Sequence, residues 1–334
     1  MNVERYWSGR SLLRLADHPA PAVEILLRRA AQLKQAKRAG REEQFLKGKN
    51  CALIFEKTST RTRCSFEVAA FDQGAQCSYL AGGNSQFGHK ESVADSARVL
   101  GRFYDALIWR GAAQATVAEL AQWAGVPVIN GLSDDFHPLQ MLADLMTMGE
   151  HGGRDLSALR FAYLGDCRFN MANSLLLTGA LMGMDVRLAA PPALQPAEAI
   201  VAEATALAEG SGAQILITDD PQAAVAGVDF IHTDIWLSMG EPADIFAERC
   251  ALLRPYRVDA ALMAASGNPR VKFMHCLPSY HDRATALGED FYRQTGLAGI
   301  EVSDEVFNSP ASIVFDQAEN RLHTVKALLV AMLT

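Results

Sequence analysis

Short apolar runs, each leading into a turn and then a helical pattern, recur along nearly the whole chain, and this repeating unit limits the choice of fold more than any other feature. The first run is Asn50-Cys51-Ala52-Leu53-Ile54-Phe55, followed by a polar turn and a helical stretch from about Arg61 to Gln73. Further runs lie at Ala106–Trp109, Val126–Ile129, Phe161–Leu164, Val186–Ala189, Ile215–Ile217, Asp229–His232 and Lys272–His275. Strands buried on both faces read as continuous apolar segments, and strands alternating with helices pair in parallel. An α/β fold of parallel sheets flanked by helices is therefore expected, with ligands at the carboxyl ends of the strands. An amphipathic helix over 22–39 precedes the first run, since Val23, Leu26, Leu27, Ala30, Ala31 and Leu33 repeat at helical spacing.

At 334 residues the chain exceeds what one core usually organises, so two domains are expected. The apolar helix around Met141–Met148 is the natural connection, which places one domain at 1–150 and the other at 151–319. The final helix, 320–334, folds back onto the first. Residue usage is ordinary for a globular protein, with 49% hydrophobic and 21% charged. The longest apolar runs, such as Ala327–Leu333, are far short of the ~20 residues of a membrane span, and no secretory leader is visible at the N-terminus, so a soluble cytoplasmic protein is expected. A net charge of −7 argues against a nucleic-acid partner, because phosphate backbones are bound by dense basic surfaces. An anionic ligand would have to be held by local cations. The six cysteines are scattered without a Cys-x-x-Cys pair, so they read as reduced thiols rather than zinc ligands or disulfides.

The segment Lys57-Thr58-Ser59-Thr60-Arg61-Thr62-Arg63 follows a strand and opens a helix. Orphan N–H groups and the positive end of the helix dipole meet hydroxyls and guanidinium groups there, a combination that suits a dianionic phosphate. A lone Ser59 or Thr60 could simply cap the helix. Two arginines among four hydroxyls favour an anion site. The Gly-x-x-x-x-Gly-Lys spacing of a nucleotide P-loop is absent, and no Gly-x-Gly-x-x-Gly follows the first strand.

The chain resembles the aspartate/ornithine carbamoyltransferase family, through Ser59-Thr60-Arg61-Thr62-Arg63, His137-Pro138-Leu139-Gln140 and His275-Cys276-Leu277-Pro278. Asp234-Ile235-Trp236-Leu237-Ser238-Met239-Gly240 and Phe315-Asp316-Gln317-Ala318-Glu319-Asn320-Arg321 resemble its ornithine branch, and the likeness runs from about Leu12 to Leu333 in family order. The implied activity is transfer of the carbamoyl group of carbamoyl phosphate to the δ-amine of L-ornithine, giving L-citrulline and phosphate, with no metal or organic cofactor. By this resemblance the first domain binds carbamoyl phosphate and the second ornithine. Ser59, Thr60, Arg61 and Thr62 hold the phosphate. Arg110 reaches phosphate and carbonyl oxygen, while His137 and Arg321 also face that oxygen. Gln140 and the backbone carbonyls of Cys276 and Leu277 accept from the carbamoyl NH2. Gln86 crosses into a neighbouring subunit's site, which implies a homotrimer or a multiple of trimers. Asn170 is matched to the ligand of the ornithine carboxylate, Asp234 to the partner of its α-ammonium, and Ser238 and Met239 to a segment over the amino acid. Arg110, His137, Asp234 and Cys276 are the implied catalytic residues.

Each of these residues has a plainer reading. His137 alone could be a surface or a satisfied histidine, Cys276 a small buried apolar group, and Asp234 the cap of a helix beginning near Trp236. The methionines Met141, Met146 and Met148 read as core packing. The chain also departs from the family pattern. Leu139 stands where a threonine is usual, and Phe169 precedes Asn170 where a second asparagine is usual. Another acceptor, such as lysine, putrescine or a shorter diamino acid, stays open at this point, as does a non-catalytic metabolite-binding role.

Overall fold

The computed structural model describes residues 5–81, 90–237, 241 and 245–334. It divides into two compact units, Met1–Met146 with Glu319–Thr334, and Thr147–Ala318. The first contains α1 (Ala20–Arg38), β1 (Asn50–Phe55), α2 (Thr60–Asp72), β2 (Gln76–Ala81), α3 (Val93–Phe103), β3 (Ala106–Arg110), α4 (Gln114–Trp123), β4 (Val128–Leu132) and the start of α5 (Pro138–Gly152). The second contains β5 (Arg160–Leu164), α6 (Asn170–Leu181), β6 (Asp185–Ala189), α7 (Glu198–Ser211), β7 (Gln214–Thr218), α8 (Pro221–Val225), β8 (Phe230–Thr233), α9 (Phe246–Leu253), α10 (Ala260–Ala265), β9 (Lys272–His275), α11 (Ala286–Thr295) and α12 (Asp304–Phe307). Helix α13 (Val314–Leu333) closes the chain.

Both sheets are parallel, as the alternating pattern predicts. The four-stranded sheet has the order β2-β1-β3-β4 and the five-stranded sheet the order β7-β6-β5-β8-β9. In the first, the chain steps from β1 to one side and returns on the other, so the strand order reverses between β1 and β3. In the second it reverses between β5 and β8. At such a point the connections leave in opposite directions and open a crevice at the carboxyl ends of the strands.

Strand β2 is absent from the sequence reading. Gln76-Cys77-Ser78-Tyr79-Leu80-Ala81 has no continuous apolar run because it is an edge strand, nowhere fully buried. Strand β4 starts at Val128 and runs through Asn130-Gly131 to Leu132, later than the expected 126–129. Pro127 supplies no N–H to a ladder, and the polar Asn130 is buried because its side-chain amide donates to the Leu13 carbonyl at 3.0 Å and to Gln114 at 3.1 Å. No helix begins at Trp236, so Asp234 is not a helix cap; residues 234–237 are irregular.

The C-terminal helix packs back on the first unit, as expected. Lys326, wholly buried on α13, donates to Glu42 at 2.5 Å and to Asp72 at 2.7 Å, while Lys34 of α1 donates to the Asn320 side chain at 2.8 Å. A cation this deep is stable only because its partners are in place. Among the described residues no helix is long and apolar enough to cross a membrane.

Candidate active site

The carboxyl ends of β1, β3 and β4, neighbours in the first sheet, gather one set of predicted residues. Ser59 follows β1 and is the N-cap of α2, its hydroxyl oxygen accepting from the Thr62 N–H at 3.3 Å. The capping reading of Ser59 is thus realised. It does not compete with anion binding, since a hydroxyl that accepts one hydrogen bond still has its proton to donate. Thr60 is exposed and Arg61 partly so, whereas Thr62 is buried. The second arginine of the motif is turned elsewhere: Arg63 pairs with Glu67 at 2.8 Å and lies over the Tyr79 ring at 4.1 Å. Arg63 is thus engaged along α2 and with β2, away from the turn.

Arg110 ends β3, and its placement follows from an irregular register. Trp109 pairs with Asn130 but Arg110 with Leu132, so Gly131 is skipped. Such a bulge re-aims the side chain beside it. A side chain at 131 would meet the Trp109 carbonyl at 3.0 Å and the Arg110 Cβ at 3.3 Å, which explains the glycine. Arg110 is buried and donates through Nη1 to the Gly131 carbonyl at 3.4 Å.

His137 follows β4 and precedes Pro138, the first residue of α5. Arg321, on α13, binds this corner to α2. Its Nη1 donates to Gln140 Oε1 at 2.7 Å and lies 3.4 Å from His137 Nε2, and its Nη2 donates to Thr62 Oγ1 at 3.3 Å. A guanidinium can only donate, so in that contact Nε2 accepts and the single imidazole proton resides on Nδ1. Burial, followed by the charges of Arg321, Arg110 and Arg61, holds the His137 pKa well below the ordinary histidine value. The ring is neutral at physiological pH. Gln140 is oriented by its neighbours: its Nε2 donates to Asp144 Oδ1 at 2.8 Å, leaving Oε1 toward Arg321. A carbonyl oxygen has two lone pairs, so Oε1 can still accept a second donor. Asp144 was missed by sequence reasoning, although its spacing of four from Gln140 on a helix was a usable signal.

In the second unit the carboxyl ends of β5, β8 and β9, again neighbours, gather a second set, Asn170, Asp234, Cys276 and Leu277. Thr233 pairs with His275 across β8 and β9, so Asp234 and Cys276 each stand one residue beyond that pair. The Cys276 thiol donates to Asp234 Oδ1 at 3.1 Å, and the same oxygen accepts from the Ile235 N–H at 2.8 Å. Leu277 has a positive φ of 60°, a left-handed conformation that costs a branched residue about 1–3 kcal/mol and tends to occur at functional sites. Its N–H donates to His275 Nδ1 at 2.9 Å, which puts the His275 proton on Nε2, 3.3 Å from Glu301 Oε1. Burial alone would raise the Glu301 carboxyl, but His275 and the Ser279 hydroxyl, donating at 2.7 Å, hold it below the usual carboxylate range. No local pattern marked Glu301, which lies far along the chain from its partners.

Asn170 is partly exposed as the first residue of α6, after β5. Phe169 beside it lies under the Arg168 guanidinium at 5.0 Å. The buried Tyr163 phenol donates to the Asp166 carbonyl at 3.3 Å; burial, then the charges of Asp234, Cys167, Asp166 and Cys276, push its pKa well up, so it remains neutral. Gln86, Ser238 and Met239 lie outside the described residues. Among the described residues, two groups have donor atoms close enough to share a metal ion, Asp234 with His275 and Cys276, and His281 with Asp282 and Asp304, each set within 4.8 Å. In the first group the short Cys276–Asp234 bond already engages two of the three donors.

Fold and geometry define an α/β protein of two parallel-sheet units with a cationic, hydroxyl-rich turn at the carboxyl edge of the first sheet and a carboxylate–thiol pair at that of the second. Residues 10–150 match the carbamoyl-P binding domain, and residues 157–332 the Asp/Orn binding domain, of aspartate/ornithine carbamoyltransferase. The chain is 57% identical over 327 residues to a catabolic ornithine carbamoyltransferase of Pseudomonas putida, covering 97% of both chains. A catabolic ornithine carbamoyltransferase of Rhizobium meliloti is likewise 57% identical, over 97% of this chain and 98% of that one. Among solved structures, ornithine carbamoyltransferase from Pyrococcus furiosus superposes with a TM-score of 0.89 at 40% identity, covering 98% of this chain and 97% of that one. The chain belongs to the aspartate/ornithine carbamoyltransferase family.

Proposed function

We propose that the protein transfers the carbamoyl group of carbamoyl phosphate to the δ-amine of L-ornithine, giving L-citrulline and phosphate. The observation that carries this reading is the cluster of Arg61, Arg110 and Arg321 around a neutral His137, beside the open N-terminus of α2. In a chain of net charge −7, three cations beside one helix N-terminus suit a dianion. The Ser59, Thr60 and Thr62 hydroxyls, the Arg61 side chain and the first N–H groups of α2 take the phosphate. Arg110, Arg321 and His137, through its Nδ1–H, face the carbonyl oxygen, and Gln140 Oε1 accepts from the carbamoyl NH2.

The neutral δ-amine attacks the carbonyl carbon, forming the N–C bond while the carbonyl oxygen becomes an oxyanion. Collapse breaks the bond from that carbon to the bridging phosphate oxygen; phosphate leaves with the electron pair and the surplus amine proton is lost. Donors placed for the oxyanion are typically worth about 2.7–4 kcal/mol each. Asp234, with Cys276 at 3.1 Å, receives the ammonium group of a cationic amino acid and repels a dicarboxylate such as aspartate. Asn170 takes the α-carboxylate, Ser238 and Met239 cover the amino acid, and the Cys276 and Leu277 carbonyls serve as further acceptors for the carbamoyl NH2. A cytoplasmic homotrimer or multiple of trimers, with Gln86 shared between subunits, completes the proposal and is checked by light scattering. The names of the 57% identical relatives support ornithine as acceptor.

Steady-state citrulline-type product formation with ornithine, lysine, putrescine and a shorter diamino acid tests the assignment. Ornithine should lead each competitor in kcat/KM by at least about ten-fold, the least that one methylene is worth in a fitted pocket. A panel in which lysine or putrescine matches ornithine contradicts it.

A further inference from the structure

We propose that Arg249, on α9, is the positioning residue that sets the geometry of the amino-acid side of the site. This rests on the reading of Asn170 and Asp234 as acceptor ligands. The Arg249 side chain is 8% exposed, and its guanidinium makes contacts in two directions. Its Nη1 donates to Asp166 Oδ2 at 2.5 Å, in the turn between β5 and Asn170. It also donates to the Trp236 carbonyl at 3.3 Å, and Nη2 donates to Glu241 Oε1 at 2.9 Å. Trp236 and Glu241 bracket residues 237–240, immediately after Asp234. One planar group therefore bonds Trp236 and Glu241 and ties both to the turn that carries Asn170.

Arg168 closes the arrangement into a ring of alternating charge. Its Nη2 donates to Asp166 Oδ2 at 2.7 Å and lies 3.5 Å from Glu241 Oε1. The two guanidinium groups offset the two carboxylates, so the ring is neutral while intact. Without Arg249 this ring keeps both acids and loses one of its two cations, and Asp166 is left in a position only 4% exposed. The repulsion and the lost tether act on the same two segments, which bear the acceptor ligands. A lysine at 249 keeps the charge but cannot span both carboxylates and the Trp236 carbonyl, because the planar fork that reaches all three belongs to arginine. None of these four charged residues needs to touch substrate; their effect is on where Asn170 and Asp234 stand.

The predicted signature is a split between the two substrates. R249Q should raise the KM for ornithine about ten-fold or more, equivalent to about 1.4 kcal/mol, and leave the KM for carbamoyl phosphate within about two-fold. R249K should recover part of the loss. E241Q, on a partly exposed residue, removes one charge and, because an amide has a single acceptor oxygen, one of the two hydrogen bonds from Arg249; it should raise the ornithine KM by about three-fold and serves as the test should R249Q fail to fold. An ornithine KM unchanged in R249Q, or in E241Q where R249Q does not fold, overturns the inference. So does a parallel rise in both KM values, which would mark a general structural role. A wild-type enzyme that makes no citrulline from ornithine strikes the functional reading itself, and the inference with it.

Discussion

Replacing Arg321 with lysine is the sharpest probe of the carbamoyl phosphate corner. The guanidinium makes three contacts there, to Gln140 at 2.7 Å, Thr62 at 3.3 Å and His137 at 3.4 Å. An ammonium keeps the positive charge and one of these bonds, and its single nitrogen cannot reach the other two. Two longer charge-assisted hydrogen bonds at the low end of their range, about 1.5 kcal/mol each, amount to about 3 kcal/mol. At 1.36 kcal/mol per ten-fold, that is a loss of about 100-fold in kcat/KM for carbamoyl phosphate. The helix itself should stay docked, because Lys326 and Asn320 anchor α13 independently through Glu42, Asp72 and Lys34. Initial rates of citrulline formation at saturating ornithine, with carbamoyl phosphate varied, give the number, and the thermal midpoint reports on docking. Wild-type kcat/KM in R321K, or a loss falling wholly on the ornithine KM, would refute the reasoning.

Two further outcomes follow from other parts of the molecule. C276S should reduce kcat/KM for ornithine by about ten-fold without abolishing turnover, because the thiol is assigned to orient Asp234 and not to attack the carbonyl; mass spectrometry of wild-type enzyme mixed with carbamoyl phosphate alone should show no adduct, and a carbamoyl thioester on Cys276 would contradict this. His18, buried against Trp7 at 4.3 Å, has its pKa depressed to about 4, first by burial. Unfolding lets it bind a proton below its ordinary pKa near 6.5, so its contribution is intact above that pH and is lost as pH falls toward 4, by at most about 3 kcal/mol and about 2 with solvent screening. H18Q should flatten the acid side of the stability curve measured by denaturant midpoint between pH 7 and 4, and an unchanged slope would count against the assignment.

Much of the fold could be read from the chain because strands of a parallel sheet are covered on both faces and leave unbroken apolar runs. Strand β2 escaped because an edge strand needs no such run, and β4 was misplaced because its end is polar and bulged. Of the expected site residues, Ser59–Thr62, Arg110 and Asp234 could be placed at strand ends from the chain alone, because each follows or closes an apolar run. What the chain could not disclose is tertiary: that Arg63 turns away to Glu67, that Asp144 fixes the sense of Gln140, that Glu301 stands behind His275, and that Arg249 bonds Trp236 and Glu241. These pairings join residues from different elements, and no local spacing encodes them. Ser59 shows a subtler point. Capping and anion binding looked like rival readings, yet one hydroxyl has a lone pair for the first and a proton for the second.

A crystal of the enzyme soaked with carbamoyl phosphate tests the central claim most directly. Phosphate density against the Ser59–Thr62 turn, with the carbonyl oxygen within hydrogen-bond distance of Arg110 and His137 Nδ1, is the predicted result. Density at another place on the protein, with that turn left to solvent, would contradict the account.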